Sequence, residues 1–270
     1  MWISISSMSP CWASRNFTGE VAAKRFLDIP RSPAKASNSL PTLTRVRDIL
    51  DLGADGARLR PHPVRILGVA TTHAVRGTSL FVHDGSGSIQ AVATFTDQLP
   101  SDLIGHAVWV DGIAGNGPLK PWIAEARVEV LGVAPLPPPT AVPFADILSG
   151  RWHGERVVTE GTVRDILRGN IFVLLLANSG NHLEVEVLHR GPRLGPIPMR
   201  WYQSRMSVTG VVLTDVDTRG RPSVTRLLVR DARDLHILRR HPTNLFDLPL
   251  TTSAAHPPDP NPKDELVKLE

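Results

Sequence analysis

The clearest pattern in the chain is "LEVEV", where Leu183, Val185 and Val187 fall on one side and Glu184 and Glu186 on the other. Strict alternation predicts a half-buried strand with one apolar face and one wet face. A second apolar, β-branched run, Ile89–Phe95, follows the Gly/Ser/Asp stretch Asp84–Ser88 and has no helical period. It also reads as a strand. A phosphate-cradling loop would open a helix and place Lys-Ser or Lys-Thr after its glycines. Neither feature is present, so Asp84–Ser88 is expected to be a hairpin turn with Gly85 or Gly87 at positive φ. In the first half of the chain the pattern predicts one short helix. Strands then follow near Pro63–Val75, Thr78–Asp84, Ser88–Phe95, His106–Ala114 and Ala126–Leu131.

The same order returns in the second half. "VRDIL" (Val46–Leu50) comes back as "FADIL" (Phe144–Leu148), and "PVRILGVA" (Pro63–Ala70) as "RVVTEGTV" (Arg156–Val163). "LFVHDGSGSIQAV" (Leu80–Val92) comes back as "IFVLLLANSGNHLEVEV" (Ile171–Val187), and "AVWVDGIAG" (Ala107–Gly115) as "RMSVTGVVL" (Arg205–Leu213). Asp48 and Asp146 lie 98 residues apart, Gly68 and Gly161 93, Gly85 and Gly180 95, and Gly112 and Gly210 98. This spacing is far longer than a solenoid repeat, so each copy is expected to be a domain with its own core.

The first strand of each copy is long and carries a central glycine, Gly68 or Gly161. A strand bent there can be shared between two sheets and close a small barrel of the OB type. The predicted fold is all-β with short helices: two tandem OB-like five-stranded β-barrels. An SH3-like or open meander barrel is the alternative topology. The expected organisation is an ill-ordered segment over 1–40, barrel one over 41–134 and barrel two over 144–240. A Pro-rich linker over 135–143 acts as a semi-rigid spacer. The tail, 241–270, is Pro-rich and polar, which predicts disorder.

Composition narrows the function classes. A hydrophobic share of 41% and a charged share of 21% fit a soluble globular chain. The net charge of +4 permits an anionic partner without requiring one. The single Cys11 excludes an intrachain disulfide and a cysteine zinc site. No apolar run approaches the ~20 residues that span a bilayer. "MWISISSMSPCWASRNF" makes a poor signal peptide, so the chain as written is expected to be cytoplasmic. The ten histidines form no His-x-His pair and no HExxH motif, and no Ser-His-Asp set stands out. No catalytic residue, metal ligand or cofactor is therefore assigned.

"LFVHDGSGSIQAV", "VWVDGIAGNG", "LPPPTAVPFADILSGR", "VTEGTVRDI" and "ARDLHILRRHPTNLFDLP" run in order over Leu40–Pro249. Together they resemble the N-terminal sensory region of large bacterial sensor histidine kinases, often hybrid ones. There, OB-like barrels precede a membrane helix, signalling domains and the kinase. The resemblance departs at His153 and Arg156, where that family has an acidic and an aromatic residue. No membrane helix, phospho-acceptor histidine box or ATP-binding glycine motif follows. The resemblance implies a non-catalytic sensory input module that binds a small ligand or a partner protein, in a periplasmic or extracytoplasmic setting.

Four residues are the candidate recognition surface: Trp109, Trp122, Arg151 and Trp152. Trp109 alternates with Val108 and Val110, Trp122 stands near Lys120, and Arg151–Trp152 lie in the loop leading into the second copy. Their amphipathic side chains are expected near loops and the barrel junction, with packing the competing role for Trp152. Phe81 and Phe172 read as equivalent core residues. The rival reading is an OB single-strand nucleic-acid binder. An aromatic share of 5% and the outward Glu184 and Glu186 count against nucleic acid without excluding it. A truncated fragment of a sensor-kinase gene is the second alternative.

Overall fold

The computed structural model describes residues 40–73, 79–93, 103–168, 172–188 and 201–240, and two dipeptides in the tail. Of the segments expected to be disordered, all of 1–40 except Leu40 and most of 241–270 lie outside the described residues.

The first barrel follows two short helices, α1 (Val46–Asp51) and α2 (Gly53–Leu59). Its strands are β1 (Pro63–His73), β2 (Ser79–His83), β3 (Ser88–Ala93), β4 (His106–Asn116) and β5 (Pro121–Val133). They close in the order β1-β2-β3-β5-β4, with β3 and β5 parallel. That is the OB topology. β1 closes the barrel because it serves two neighbours. Pro63–Val69 pairs with β4, and Val69–His73 pairs with β2 with a register shift between Ala70 and Thr72. Alternation then sends Val64, Ile66, Leu80, Val82, Ile89, Val108 and Val110 into one core. Val46 and Ile49, one helical turn apart on α1, complete that core.

The Gly-rich turn does meet a helix N-terminus, although it opens none of its own. Asp84 Oδ2 accepts from Val46 N at 2.8 Å, and Ser86 Oγ accepts from Arg47 N at 3.1 Å. Asp84 Oδ1 also accepts from Ser86 N at 2.8 Å, and Gly85 takes φ +89°. Two otherwise unpaired N–H groups of α1 are thus capped from another part of the chain. The Asp84 carboxylate stands where a phosphate-binding loop would hold its anion.

The second barrel repeats the plan. β6 (Thr140–Ala141) and α3 (Phe144–Ile147) lead into β7 (Arg156–Arg168), β8 (Phe172–Asn178), β9 (Asn181–Val187), β10 (Arg205–Val216) and β11 (Pro222–Val229). β12 (Leu235–Arg239) adds to the free side of β10. β7–β10 pairing closes the barrel, and β9 and β11 run parallel. Phe144, Ile147, Phe172, Leu174, Leu183, Met206 and Leu227 share its core. The Pro-rich stretch is partly built into this barrel. Thr140–Ala141 pairs with Val157–Val158, and Arg156 Nη1 donates to Pro137 O at 2.8 Å. In the tail, β13 (Leu250–Thr251) pairs in parallel with β14 (Lys268–Leu269).

Two local expectations are corrected. The fifth strand starts at Pro121 rather than Ala126. Ile123 and Ala126 both face the core, and Glu125 between them takes φ +52°. That irregularity hides the strand from any alternation test. Phe81 and Phe172 are not equivalent. Phe172 lies in the core of barrel two, whereas on β2 it is Leu80 and Val82 that point inward. Phe81 points out of barrel one and is buried by other residues.

Candidate functional site

Strand register builds one exposed patch on barrel one. Leu67 lies opposite Trp109, and Arg65 opposite Asp111, on the outer face of β1 and β4. Arg65 Cζ sits 5.0 Å from the centroid of the Trp109 ring, and its Nε lies 3.8 Å from Asp111 Oδ1. The segment before α1 runs beside β1, because Leu43 N donates to Pro63 O and Arg65 N to Leu43 O. This brings Arg45 to the same place. Arg45, Arg65, Leu67, Trp109 and the Asp84–Ser86 turn line a cleft of about 400 Å³. Leu67 is 48% exposed and Arg45 has no ion pair among the described residues. An aromatic face beside guanidinium groups can hold a planar ring and an anion together. The acidic groups nearby are Asp111, Glu129 across from Trp109 on β5, and Asp84, whose carboxylate is already used on α1.

A second constellation joins the barrels. His153 lies in the turn between α3 and β7 and is buried. Its Nδ1 accepts from Thr214 N at 3.1 Å, and its ring meets Phe81 edge-on at 5.3 Å between centroids. Lys120 Nζ, from the β4–β5 loop, donates to His153 O at 2.9 Å and lies 3.7 Å from Glu155 Oε1. Burial first, and then the Lys120 charge, push His153 down to about 4. Burial likewise lowers Lys120, against the opposing pull of Glu155.

The four sequence candidates are not brought together. Trp109 lies in the cleft. Trp122 is 6% exposed and packs on Gly115, so it is not the surface ring that was expected. On β5 it alternates with the core residue Ile123, so it lies on the outer face of the barrel and is covered there. Arg151 is exposed, donates to Asp146 Oδ2 at 2.7 Å and stacks on Trp152 at 5.4 Å. Trp152 also packs against the core of barrel two. The sequence reading missed Arg45, Arg65, Lys120 and the outward role of Phe81. It is the β1/β4 pairing that places Arg65 beside Trp109.

The acidic strand face of barrel two is also corrected. Glu186 is only 7% exposed, and Arg226 bonds both Glu186 Oε1, at 3.1 Å, and Asp215. Glu186 is thus paired with Arg226, which it shares with Asp215, while Glu184 keeps its place on the outer face. The described residues contain no cluster of three or more His, Cys, Asp or Glu fit to hold a metal. None of their helices is long and apolar enough to cross a membrane.

No protein-family model matches the chain, and no curated protein does. Solved structures match at the level of the barrel. An OBody bound to hen egg-white lysozyme is 18% identical over 38% of this chain and 100% of its own, with a TM-score of 0.29. Asparaginyl-tRNA synthetase of Pyrococcus horikoshii is 17% identical over 37% of this chain and 23% of its own, with a TM-score of 0.26. Fission yeast Pot1 with ssDNA is 10% identical over 73% and 93%, with a TM-score of 0.30. Likeness at this level does not bear on what this chain binds.

Proposed function

We propose that the chain is a non-catalytic tandem OB module that binds single-stranded nucleic acid. The observation carrying this reading is the Trp109 ring with Arg65 stacked on it and Arg45 at the same cleft. A base stacks on Trp109, and its flanking phosphates lie against Arg45 and Arg65. The charge distribution supports the same reading. Residues 140–240 carry fifteen arginines and no lysine against ten acidic residues, while residues 41–139 carry eight basic and nine acidic. An Arg-rich half favours polyanion approach. Binding is weak, in the roughly 10⁻⁶–10⁻⁴ M range of non-specific association at physiological salt, because two cations among the described residues of the cleft, Arg45 and Arg65, face the strand.

Fluorescence anisotropy of labelled oligonucleotides across a salt series tests this. With two phosphates neutralised, log K against log salt should fall with a slope of about −1.4. Trp109→Ala should weaken binding by about 1–3 kcal/mol. Binding untouched by Trp109→Ala and Arg65→Ala, or none at low salt, counts decisively against it.

The sensory input module is the second reading, favoured by the polar junction of His153, Lys120 and Glu155. In that reading the junction relays a barrel-to-barrel movement. A small ligand or partner protein takes the place of nucleic acid. Absence of oligonucleotide binding leaves this reading as the better one.

A further inference from the structure

We propose that barrel one carries a second recognition face for single-stranded nucleic acid, masked in cis by the His153–Glu155 segment of barrel two. The inference rests on the nucleic-acid reading above. The face is the outer side of β2 and β3, which in an OB barrel lies beside the β4–β5 loop and is open to ligands. Here it presents Phe81, paired in register with Gln90, and Lys120 from that loop. A ring, an amide and an ammonium suit a stacked base with one phosphate.

The face is occupied by chain. Phe81 is 3% exposed under the His153 ring. Gly154, at φ +83°, lies so close that a Cβ there would stand 2.8 Å from the Phe81 ring. Lys120 is engaged by His153 O and Glu155, the acceptors that a phosphate would replace. Ser88 Oγ is buried on this face, with no hydrogen-bond partner among the described protein groups. The masking segment is bonded to its own barrel: Gly154 N donates to Val212 O at 2.7 Å, and Val212 N to Glu155 O at 3.0 Å. It therefore leaves with barrel two as a body, and the face opens when the barrels part.

The test compares oligo(dT) binding by the full chain and by two opened variants. Gly154→Val drives a side chain into Phe81. His153→Asn removes the ring but keeps an oxygen for the Thr214 N–H, and serves if the first variant folds poorly. Amide exchange over Ser79–Val92 reports opening. Binding should tighten by about ten-fold or more in an opened variant, through one newly stacked base. Adding Phe81→Ala should abolish the gain, while adding Trp109→Ala should leave it. Unchanged affinity in both variants overturns the masked face, even where Trp109-dependent binding persists and keeps the proposed function. Binding only in opened variants, insensitive to Trp109, overturns the cleft and keeps the masked face. No binding by any variant overturns both.

Discussion

Two buried or half-buried residues contribute to how the molecule responds to acid. Burial would raise Asp84, but hydrogen bonds from Val46, Ser86 and Gly87 outweigh it and hold Asp84 below its ordinary 3.8. The unfolded chain takes up that proton first. The stabilisation is complete above about pH 4 and disappears as pH falls through the lower folded value. Asp84→Asn should cost about 1 kcal/mol at pH 7 in urea denaturation, the usual scale of a lost helix cap. It should also remove part of the acid transition. His153 behaves differently. Folded it titrates at about 4, against 6.5 when free, so between those values the unfolded chain binds more protons. Its contribution is full above pH 6.5 and is lost on the way down to pH 4, up to about 3 kcal/mol. Comparing urea midpoints at pH 4.5 and 7, His153→Asn should flatten this dependence. A variant with an unchanged pH profile would mean that His153 is not buried neutral. Gly85→Val should cost ~1 kcal/mol through strain at positive φ alone, because nothing lies within 4 Å of the added Cβ.

Strands that alternate cleanly were legible from sequence, and strands that bulge were only half legible. Leu183–Val187 and His106–Ala114 sit within the strands that the pattern marked. β5 was read from Ala126 onward because Glu125 breaks the period, and that hid the burial of Trp122 on the outer face of the strand. The mismatch between Phe81 and Phe172 is one of face: Phe172 shares the inner face with Leu174 and Leu176, whereas Phe81 lies opposite the inward Leu80 and Val82, and aligned letters do not carry that phase. Mutation separates the two roles. Phe172→Ala should cost about 3–5 kcal/mol by emptying the core of barrel two. Phe81→Ala should instead speed amide exchange at His153–Glu155, because the ring lies at the junction. Equal global destabilisation with no local change at 153–155 would refute that assignment.

At the scale of the molecule, the duplication made two closed barrels readable from matched segments alone. What the two barrels do to each other was not readable. His153 touches Phe81 across 72 residues, and Lys120 reaches His153 O across 33; no periodicity encodes such contacts. Nor did the sequence reveal that Arg226 pairs with Glu186, which had weighed against nucleic acid. Arg45, Arg65 and Trp109, far apart in the chain, meet only because β1 pairs with β4 and the residues before α1 run beside β1. The central claim is that this cleft receives a base. Photocrosslinking an oligonucleotide that carries 5-bromouracil, followed by peptide mapping, tests it most directly. Crosslinks should fall on Trp109 and fade as salt rises. Crosslinks confined to the β8–β9 face of barrel two, or absent at low salt with the oligonucleotide in excess, would contradict it.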